Sequence, residues 1–316
     1  MKKNNNLTIV VTGATSMIGS ALIESFLRNG VKRIYAVIKE NSKKINRIPN
    51  SKKIILIKCD IDRYYQLINL INEKCDIFYH FAWSATGPTR NNNIVEQASN
   101  IRYTLEALLS AKALGCYRFV GAGSQAEYGK LNLIKISENT PTKPIQPYGV
   151  AKYAAGQLAL MQSKLVNIDC SWVRIFSVYG KYDKPTSMIS YATKSFLLKQ
   201  KPCFTLAEQN WDYLYRDDAG EAFYYIGLYS KGSGVYCLGN GRSMPLKNYI
   251  ELIKKEVKYC DLIEYGTKEN SDIIVNICAD ISKITKETGW KPKTDFKDGI
   301  SEYIKYIRKN EIDKIL

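Results

Sequence analysis

Short apolar runs alternate with amphipathic segments through the first half of the chain. The runs are rich in β-branched and aromatic residues, a composition typical of strands that are buried on both faces. They lie at residues 7–12, 33–38, 54–58, 76–82, 117–123 and 168–176. The segments between the first five runs, at 20–30, 64–73 and 94–115, carry apolar residues at helical spacing. This alternation predicts an α/β fold, a doubly wound parallel sheet with helices on both faces.

The pattern changes after about residue 180. The chain becomes irregular and rich in tyrosine, with candidate helices at 187–199, 217–229, 246–258 and 298–309. A chain of 316 residues also exceeds the size at which a single hydrophobic core usually stops growing. We therefore expect a second, smaller lobe of mixed structure in this half.

Composition and charge narrow the classes of function. The net charge is +16, but the lysines are dispersed, which argues against nucleic acid as a partner and for attraction of a small anionic substrate. No stretch approaches the roughly 20 apolar residues of a membrane span. The N-terminus runs directly into the first strand, so we expect a cytoplasmic protein with no membrane partner. The single histidine and the scattered cysteines predict no metal site.

A turn with glycines follows the first strand. The stretch TGATSMIGS, residues 12–20, has glycines at 13 and 19 and leads into a helix. The backbone N–H groups of such a turn and the positive end of the helix attract a pyrophosphate. Many tight turns use glycine only for its backbone freedom, so the prediction of a dinucleotide site depends on the strand-turn-helix context.

The segment PYGVAK places Tyr148 and Lys152 four residues apart. On a helix these two side chains lie on one face, and Pro147 suits the first turn of a helix. The pair is either an incidental feature of a surface helix or a functional one. Its spacing alone leaves both alternatives open.

Six segments along the chain resemble the motifs of one family. They are TGATSMIG in the first turn, FYHFAW at the fourth strand, GSQAEYG after the fifth, PYGVAK, VRIFSVYG at 173–180 and ADISKITKETGWKP at 279–292. In this order they resemble the extended short-chain dehydrogenases/reductases, which include nucleotide-sugar epimerases, dehydratases and reductases. The resemblance covers nearly the whole chain.

The resemblance implies a domain organisation and an assembly. A dinucleotide-binding Rossmann domain would span residues 1–178, with 213–231 returning to it, and residues 179–212 and 232–316 would form a small substrate-binding lobe. The helices at 94–114 and 148–165 often form dimer contacts in this family through their outer faces, so we expect a homodimer. The apolar residues expected mostly in the core are Ile94, Ala98, Ile101, Leu105, Leu108, Val150, Ala154 and Leu158.

The resemblance assigns Ser124, Tyr148 and Lys152 to catalysis. A phenol with a free pKa of about 10 is a weak base at neutral pH, but a neighbouring ammonium favours the phenolate. Lys152 is therefore expected to lower the pKa of Tyr148. Tyr148 would exchange a proton with a sugar oxygen that Ser124 also binds. His80, the only histidine, is expected to be a hydrogen-bonded core residue.

The resemblance also implies a site for a nicotinamide dinucleotide. Besides Tyr148 and Lys152, its expected residues are Gly13, Thr15, Ser16, Met17, Ile18, Gly19, Lys39, Asp60, Ile61, Phe81, Ala82, Trp83 and Asn100. Ser16 replaces the middle glycine of the family's turn, and its hydroxyl is itself a candidate phosphate ligand. Lys39, with Lys43 and Lys44 nearby, suits the 2′-phosphate of NADP(H), which we favour over NAD(H). Glu40 is the counter-candidate, because it would bind ribose hydroxyls.

The substrate implied by the resemblance is a nucleotide-diphosphate sugar. Its candidate residues are Thr86, Ser124, Gln125, Ser177, Trp211, Arg216 and Arg242. The last two are candidate substitutes for the family's diphosphate-binding arginines, whose positions hold other residues here. Gln125 and Ala126 occupy the positions of a dehydratase's acidic pair, which argues against dehydration.

Two reactions and one non-catalytic role remain as candidate functions of the protein. We favour an NADPH-dependent reductase of a 4-keto nucleotide sugar, a step in making a deoxy sugar for surface polysaccharide. The first alternative is a nucleotide-sugar 4-epimerase with tightly bound NAD. The second is a non-catalytic dinucleotide-binding protein on the same fold.

Overall fold

The β-branched runs of the first half form the strands of one parallel sheet. The computed structural model describes residues 6–87, 89–131, 133, 135–267 and 275–312. Its strands are β1 Thr8–Thr12, β2 Arg33–Ile38, β3 Ile54–Lys58, β4 Ile77–His80, β5 Arg118–Ser124, β6 Asp169–Ile175, β7 Ser177–Tyr179, β8 Asn210–Trp211, β9 Tyr213–Tyr215, β10 Gly234–Leu238 and β11 Met244–Pro245. Seven of them pair in parallel in the order β10-β6-β5-β4-β1-β2-β3. The predicted doubly wound α/β fold is confirmed.

Helices cover both faces of this sheet. They are α1 Met17–Asn29, α2 Leu67–Leu70, α3 Ile94–Ala113, α4 Pro147–Leu165, α5 Met188–Leu197, α6 Arg216–Tyr229, α7 Leu246–Val257, α8 Ser282–Thr288 and α9 Phe296–Ile307. Helices α1 and α6 pack on one face, and α2, α3 and α4 pack on the other. A Cβ on Gly220 would lie 2.5 Å from the backbone of Ala21, so the lack of a side chain allows α6 to approach α1 closely.

The sheet differs from the prediction at both edges. Strand β3 is an edge strand, and its residues Ile55 and Leu56 are exposed, so the expectation of burial on both faces is wrong there. At the other edge, β10 pairs with β6 as a seventh strand, although its residues fall in the predicted small lobe. The helix expected at 64–73 is a 3₁₀ segment, Ile61–Gln66, followed by the single turn of α2.

The remaining segments pack around a separate apolar cluster. Helices α5, α7 and α9 bury residues that include Phe196, Ile253 and Ile304. This cluster lies next to β7 and β9, which carry the chain between the sheet and the smaller part. The predicted domain limits at residues 1 and 316 lie outside the described residues, and the division into lobes stays a proposal.

The outer faces of α3 and α4 are apolar and exposed. Ile94 on α3, with Val150 and Leu158 on α4, were expected mostly in the core, but they are 65%, 49% and 41% exposed. The helical period alone identifies an apolar face without saying what covers it, which explains the error. None of the helices in the described ranges is long and apolar enough to cross a membrane.

Candidate active site

The carboxyl ends of β1 and β4 meet where the strand order reverses. In open parallel sheets, this reversal opens the crevice in which ligands bind. Gly13, just after β1, has a φ of 65°, and a Cβ there would lie 2.7 Å from the nitrogen of Ala82. A Cβ on Gly19 would lie 2.5 Å from the oxygen of Gly13. Both glycines are therefore required by the close packing of this turn.

Ser16 caps the helix that follows the turn. Its hydroxyl accepts a hydrogen bond from the N–H of Gly19 over 3.0 Å. This contact gives the serine a structural role in addition to the predicted contact with phosphate. Thr15, Met17 and Ile18 are partly exposed beside it, at the positive end of α1.

A groove of about 500 Å³ begins at this turn, and we call it the switch-point groove. Its predicted cofactor residues are Gly13, Thr15, Ser16, Lys39, Ile61, Phe81, Ala82 and Trp83. Lys43, Lys44 and Arg47 add further positive charge along its rim. A tight glycine turn, an apolar wall and a cationic rim fit the shape and charge of a dinucleotide.

Two predicted residues support this groove without lining it. Asp60 accepts hydrogen bonds from the backbone N–H of Glu40 and from Arg63, which also forms an ion pair of 2.8 Å with Glu40. Asn100 is fully buried, and its amide binds the backbone of Ser84. The structure thus places Asn100 behind the loop that follows β4, where it orients that loop.

Ser124, Tyr148 and Lys152 come together beside the groove. Ser124 ends β5, while Tyr148 and Lys152 lie on the first turns of α4. Ser124 and Tyr148 line a cavity of about 340 Å³, the Ser124 cavity, together with Gln125. The oxygen Oε1 of Gln125 is buried there without a hydrogen-bond partner among the described residues, so it is available to a bound hydroxyl.

Lys152 is held by a backbone oxygen and an indole. Its Nζ donates to the oxygen of Ala122 over 2.7 Å and lies 3.5 Å from the centroid of the Trp83 ring. Burial lowers the pKa of Lys152 to about 7, although the charge of Glu127 opposes the shift. The ammonium therefore begins to lose its proton near neutral pH.

Several groups act on the pKa of Tyr148. Burial raises this pKa, while a hydrogen bond to Ser124 and the charge of Arg90 act in the opposite direction. The Nζ of Lys152 is 6.0 Å from the centroid of the Tyr148 ring, and its expected effect on this pKa stays a prediction. In the described residues, Arg90 is the cation with that effect.

Glu127 lies behind Ser124 and binds three groups that surround the site. Its carboxylate accepts hydrogen bonds from the N–H of Ser124 (2.8 Å), the indole of Trp172 (3.0 Å) and Arg174 (2.8 Å). The segment Gln125–Tyr128 is a 3₁₀ turn, and Glu127 does not line the Ser124 cavity. Its side chain is 1% exposed.

His80 is a core residue, as predicted. Its ring is buried and forms hydrogen bonds with the hydroxyls of Thr12 (2.9 Å) and Thr104 (3.5 Å). Burial, with a smaller contribution from Lys152, lowers the pKa of His80 to about 3. The neutral ring links β1, β4 and α3.

A third cavity, of about 650 Å³, lies between the sheet and the smaller part, and we call it the interlobe cavity. It contains three predicted substrate residues, Thr86, Ser177 and Trp211, and the indole N–H of Trp211 donates to the Ser177 hydroxyl over 2.7 Å. Arg90 lines this cavity and the Ser124 cavity, while Arg47 lines it and the switch-point groove. The shared residues join the three spaces into one region.

The two predicted diphosphate ligands lie elsewhere. The buried guanidinium of Arg216 pairs with Glu24 and Asp217 and donates to the Ser20 hydroxyl, so it ties α6 to α1. Arg242 lines a different cavity, beside Lys291 and Lys293. Neither arginine lines the region that contains Tyr148.

Two arginines in the region were missed by our reading of the sequence. Arg47 donates to the oxygen of Thr15 over 3.4 Å, and its guanidinium carbon lies 4.4 Å from the ring centroid of Tyr182. The guanidinium carbon of Arg90 likewise lies 4.5 Å from the ring centroid of Tyr148. Neither belongs to a motif, since Arg47 ends the 3₁₀ turn Ile45–Arg47 and Arg90 lies in the loop before α3, so their only signal in the sequence was the type of residue.

Comparison with known proteins agrees with this architecture. The sequence profile of a family described as "NAD dependent epimerase/dehydratase family" matches residues 9–239, most of the chain. The chain belongs to this family. Its cofactor is accordingly a nicotinamide dinucleotide, and the switch-point groove contains the residues that would hold it.

Individual members of the epimerase/dehydratase family are similar along the whole chain. The UDP-glucuronate 4-epimerase of Thermodesulfobacterium geofontis is 26% identical over 95% of this chain and 96% of its own. The UDP-glucose 4-epimerase of Mycolicibacterium smegmatis is 24% identical over 95% and 98%. The crystal structure of UDP-glucose 4-epimerase with UDP-glucose from Thermotoga maritima, 22% identical, superposes with a TM-score of 0.85 over 96% of this chain and 99% of that one.

Proposed function

We propose that the protein is a nucleotide-sugar 4-epimerase that retains its dinucleotide through the catalytic cycle. The similar members of the family are named as 4-epimerases of UDP-sugars, which supports this reaction over the keto-sugar reduction that the sequence led us to favour. The observation that carries the proposal is the meeting of Ser124 and Tyr148 in one cavity beside the switch-point groove.

The composition of the Ser124 cavity argues against dehydration. Removing a hydroxyl group requires an acid that protonates it. Among the described residues, no carboxylate lines this cavity, and the nearby Glu127 is held by Arg174 and Trp172 on the other side. Proton exchange with one sugar hydroxyl needs no carboxylate, and Ser124, Tyr148 and Lys152 would supply it.

The position of Arg47 supports retention of the dinucleotide. It links Thr15, in the turn at the switch-point groove, to Tyr182 in the smaller part. A bridge of this kind slows the release of a ligand bound beneath it. An epimerase benefits because its cofactor is restored in every cycle, whereas a reductase must exchange its cofactor each time.

The chemistry divides between the cofactor and the side chains. When bound, a nicotinamide dinucleotide would supply the hydride chemistry, removal of hydride from C4 of the sugar and its return to the opposite face of that carbon. Tyr148 would take the proton of the C4 hydroxyl and later return it to the same oxygen, while Ser124 holds that oxygen. Gln125 offers its unpartnered Oε1 to a second hydroxyl. Trp211 and Ser177 would hold the nucleotide part in the interlobe cavity.

The rim of the switch-point groove supports NADP(H) over NAD(H). Lys39 follows β2 at the position where NAD-preferring members carry an acidic residue, and it faces the groove with Lys43 and Lys44. Glu40, the candidate for binding ribose, is paired with Arg63. A cationic rim favours the additional phosphate of NADP(H).

The first experiment is an assay without added cofactor. We expect the purified protein to convert UDP-glucose into UDP-galactose, or UDP-glucuronate into its C4 epimer, followed by NMR of the sugar protons. The dinucleotide released on denaturation, identified by mass spectrometry, then separates NADP from NAD. Stoichiometric oxidation of added NADPH by a 4-keto sugar nucleotide, with no epimerisation, would establish a reductase instead.

The apolar stripes on α3 and α4 support a homodimer. Exposed apolar residues recur at helical spacing on both helices, at Ile94, Val95, Leu109, Val150, Leu158, Met161 and Leu165. Contiguous exposed apolar surface marks association sites.

We expect Leu158→Glu with Met161→Glu to convert a dimer into a monomer in analytical ultracentrifugation. A matched pair of changes outside both stripes, Lys254→Glu on α7 with Lys258→Glu at its C-terminal end, should leave the protein dimeric. An unchanged mass for the first variant would refute this interface.

A further inference from the structure

The loop between β4 and α3 is anchored at both ends. At its start, the buried amide of Asn100 accepts from the N–H of Ser84 over 2.7 Å and donates to its oxygen over 3.3 Å. At its end, the side chain of Asn91 accepts from the N–H of Tyr148 over 3.4 Å and donates to Gln146 over 2.9 Å. The end of the loop is thus tied directly to the first turn of α4.

Further bonds hold the middle of the loop. Gln97 donates to the oxygen of Ala85 over 2.9 Å, and Lys184, from the segment before α5, donates to the oxygen of Thr86 over 3.0 Å. The N–H of Arg90 closes a turn on the oxygen of Gly87. A side chain on this loop is therefore presented in a defined place, which is the requirement for an electrostatic contribution to catalysis.

Arg90 is the side chain that the loop presents to Tyr148. Its guanidinium carbon lies 4.5 Å from the centroid of the phenol ring, whereas the Nζ of Lys152 lies 6.0 Å from it. Lys152 also donates to the oxygen of Ala122 and packs on the indole of Trp83. Arg90 is thus the cation nearer to the centroid of the Tyr148 ring.

The charge of Arg90 is not neutralised within the described part of the chain. Arg90 is the only charged side chain among the described residues that line the Ser124 cavity. It takes part in none of the ion pairs found in the described ranges. A cation beside a phenol stabilises the phenolate, because opposite charges attract strongly where water is partly excluded. Lys184 and Asp183 line the interlobe cavity together with Arg90, without an ion pair to it.

We propose that Arg90 is a positioning residue that stabilises the phenolate of Tyr148, a task that the family's motif assigns to the lysine of the Tyr-Lys pair. The inference rests on the proposed function, since Tyr148 is the proposed base and Arg90 opposes the effect of burial, which raises the pKa of the phenol.

The other charged groups around Tyr148 do not replace Arg90. Lys152 faces it from the same helix, and its pKa of about 7 makes its charge incomplete near neutrality. Glu127, on the 3₁₀ turn after β5, raises the pKa of Tyr148, but Arg174 is paired with this carboxylate at 2.8 Å. Lys184, before α5, is directed to the oxygen of Thr86. Ser124 contributes a hydrogen bond that favours the phenolate.

The test compares Arg90→Gln and Arg90→Lys with the parent, each with the dinucleotide bound. The ionisation of Tyr148 is read from the near-ultraviolet absorbance of tyrosinate, as the difference between each protein and the same protein carrying Tyr148→Phe. We expect Arg90→Gln to raise the pKa of Tyr148 by about one pH unit, and Arg90→Lys to recover most of that change. This titration needs no substrate, so it remains informative if the proposed reaction is wrong.

The rate of epimerisation of UDP-glucose gives the second measurement. Because fewer molecules would carry the phenolate, kcat of Arg90→Gln at neutral pH should fall by about tenfold. The rising limb of its pH profile should move to higher pH by about one unit, the same shift as in the titration. Arg102→Gln is the matched control, since Arg102 lies over Tyr103 at 5.2 Å on the outside of α3. A raised KM with an unchanged pH profile and an unchanged titration would overturn the proposal and make Arg90 only a substrate ligand.

Discussion

Replacing Tyr148 by phenylalanine is expected to lower kcat for epimerisation by about a thousandfold. The change removes one oxygen, the atom that would exchange a proton with the sugar, and leaves the ring in its place between Trp83 and Arg90. The groove that would hold the dinucleotide does not depend on this hydroxyl. Steady-state kinetics with UDP-glucose and a count of dinucleotide per protein chain check the two expectations separately.

The matched control for this change is Tyr153→Phe. Tyr153 lies on the same helix but does not line the Ser124 cavity. Its substitution should leave kcat within about twofold, because changes at sites without a specific contact have small effects. A Tyr148→Phe protein that matched the parent in turnover would remove the proton-transfer role. A variant that lost its dinucleotide as well as its activity would instead indicate a role in binding.

The sheet could be predicted well from the sequence because its strands are buried. Runs such as LTIVVT and YRFVGAG are apolar, short and β-branched, and the structure places β1 and β5 within them. Strand β10, with the sequence GVYCL, is equally apolar but lies in a region of irregular pattern. Its membership of the main sheet is decided by pairing with β6, about 60 residues earlier. Local periodicity carries no information about such a partner.

The candidate site was predictable where motifs carry it. Ser124, Tyr148 and Lys152 stand at motif positions, and the structure brings them to one edge of the sheet. Arg90 and Arg47 were missed because their positions depend on bonds between distant segments, such as Asn91 with Gln146. Arg216 is a candidate diphosphate ligand in the sequence, but it forms an ion pair with Glu24 of another helix. The sequence alone does not reveal that contact.

The electrostatics of the site could not be deduced from residue types. A lysine four residues after a tyrosine suggests a direct effect on the phenol, yet the fold directs Lys152 to Ala122 and Trp83. The same burial lowers the pKa of Lys152 and raises that of Tyr148, so it favours the uncharged form of both groups. Arg90, outside the motif, opposes this effect at Tyr148 through its charge.

Glu127→Gln is expected to lower the free energy of unfolding by about 3–5 kcal/mol, because it leaves the buried guanidinium of Arg174 without a counter-charge. Both side chains are nearly inaccessible, at 1% and 4% exposure, so water cannot replace the lost partner. The carboxylate also accepts from the N–H of Ser124 and from Trp172, and an amide with one acceptor oxygen cannot satisfy all three donors. Urea denaturation followed by circular dichroism measures the change.

The double variant Glu127→Gln with Arg174→Met separates the ion pair from the packing. Once the arginine is gone, the cost of losing the carboxylate should shrink, so the double variant should be less destabilised than the sum of the two single changes. Glu302→Gln provides the matched control, because its ion pair with Lys305 is exposed and contributes little. Strict additivity would mean that Glu127 acts only through Ser124 and Trp172. In that case the carboxylate would position the catalytic serine without depending on the charge behind it.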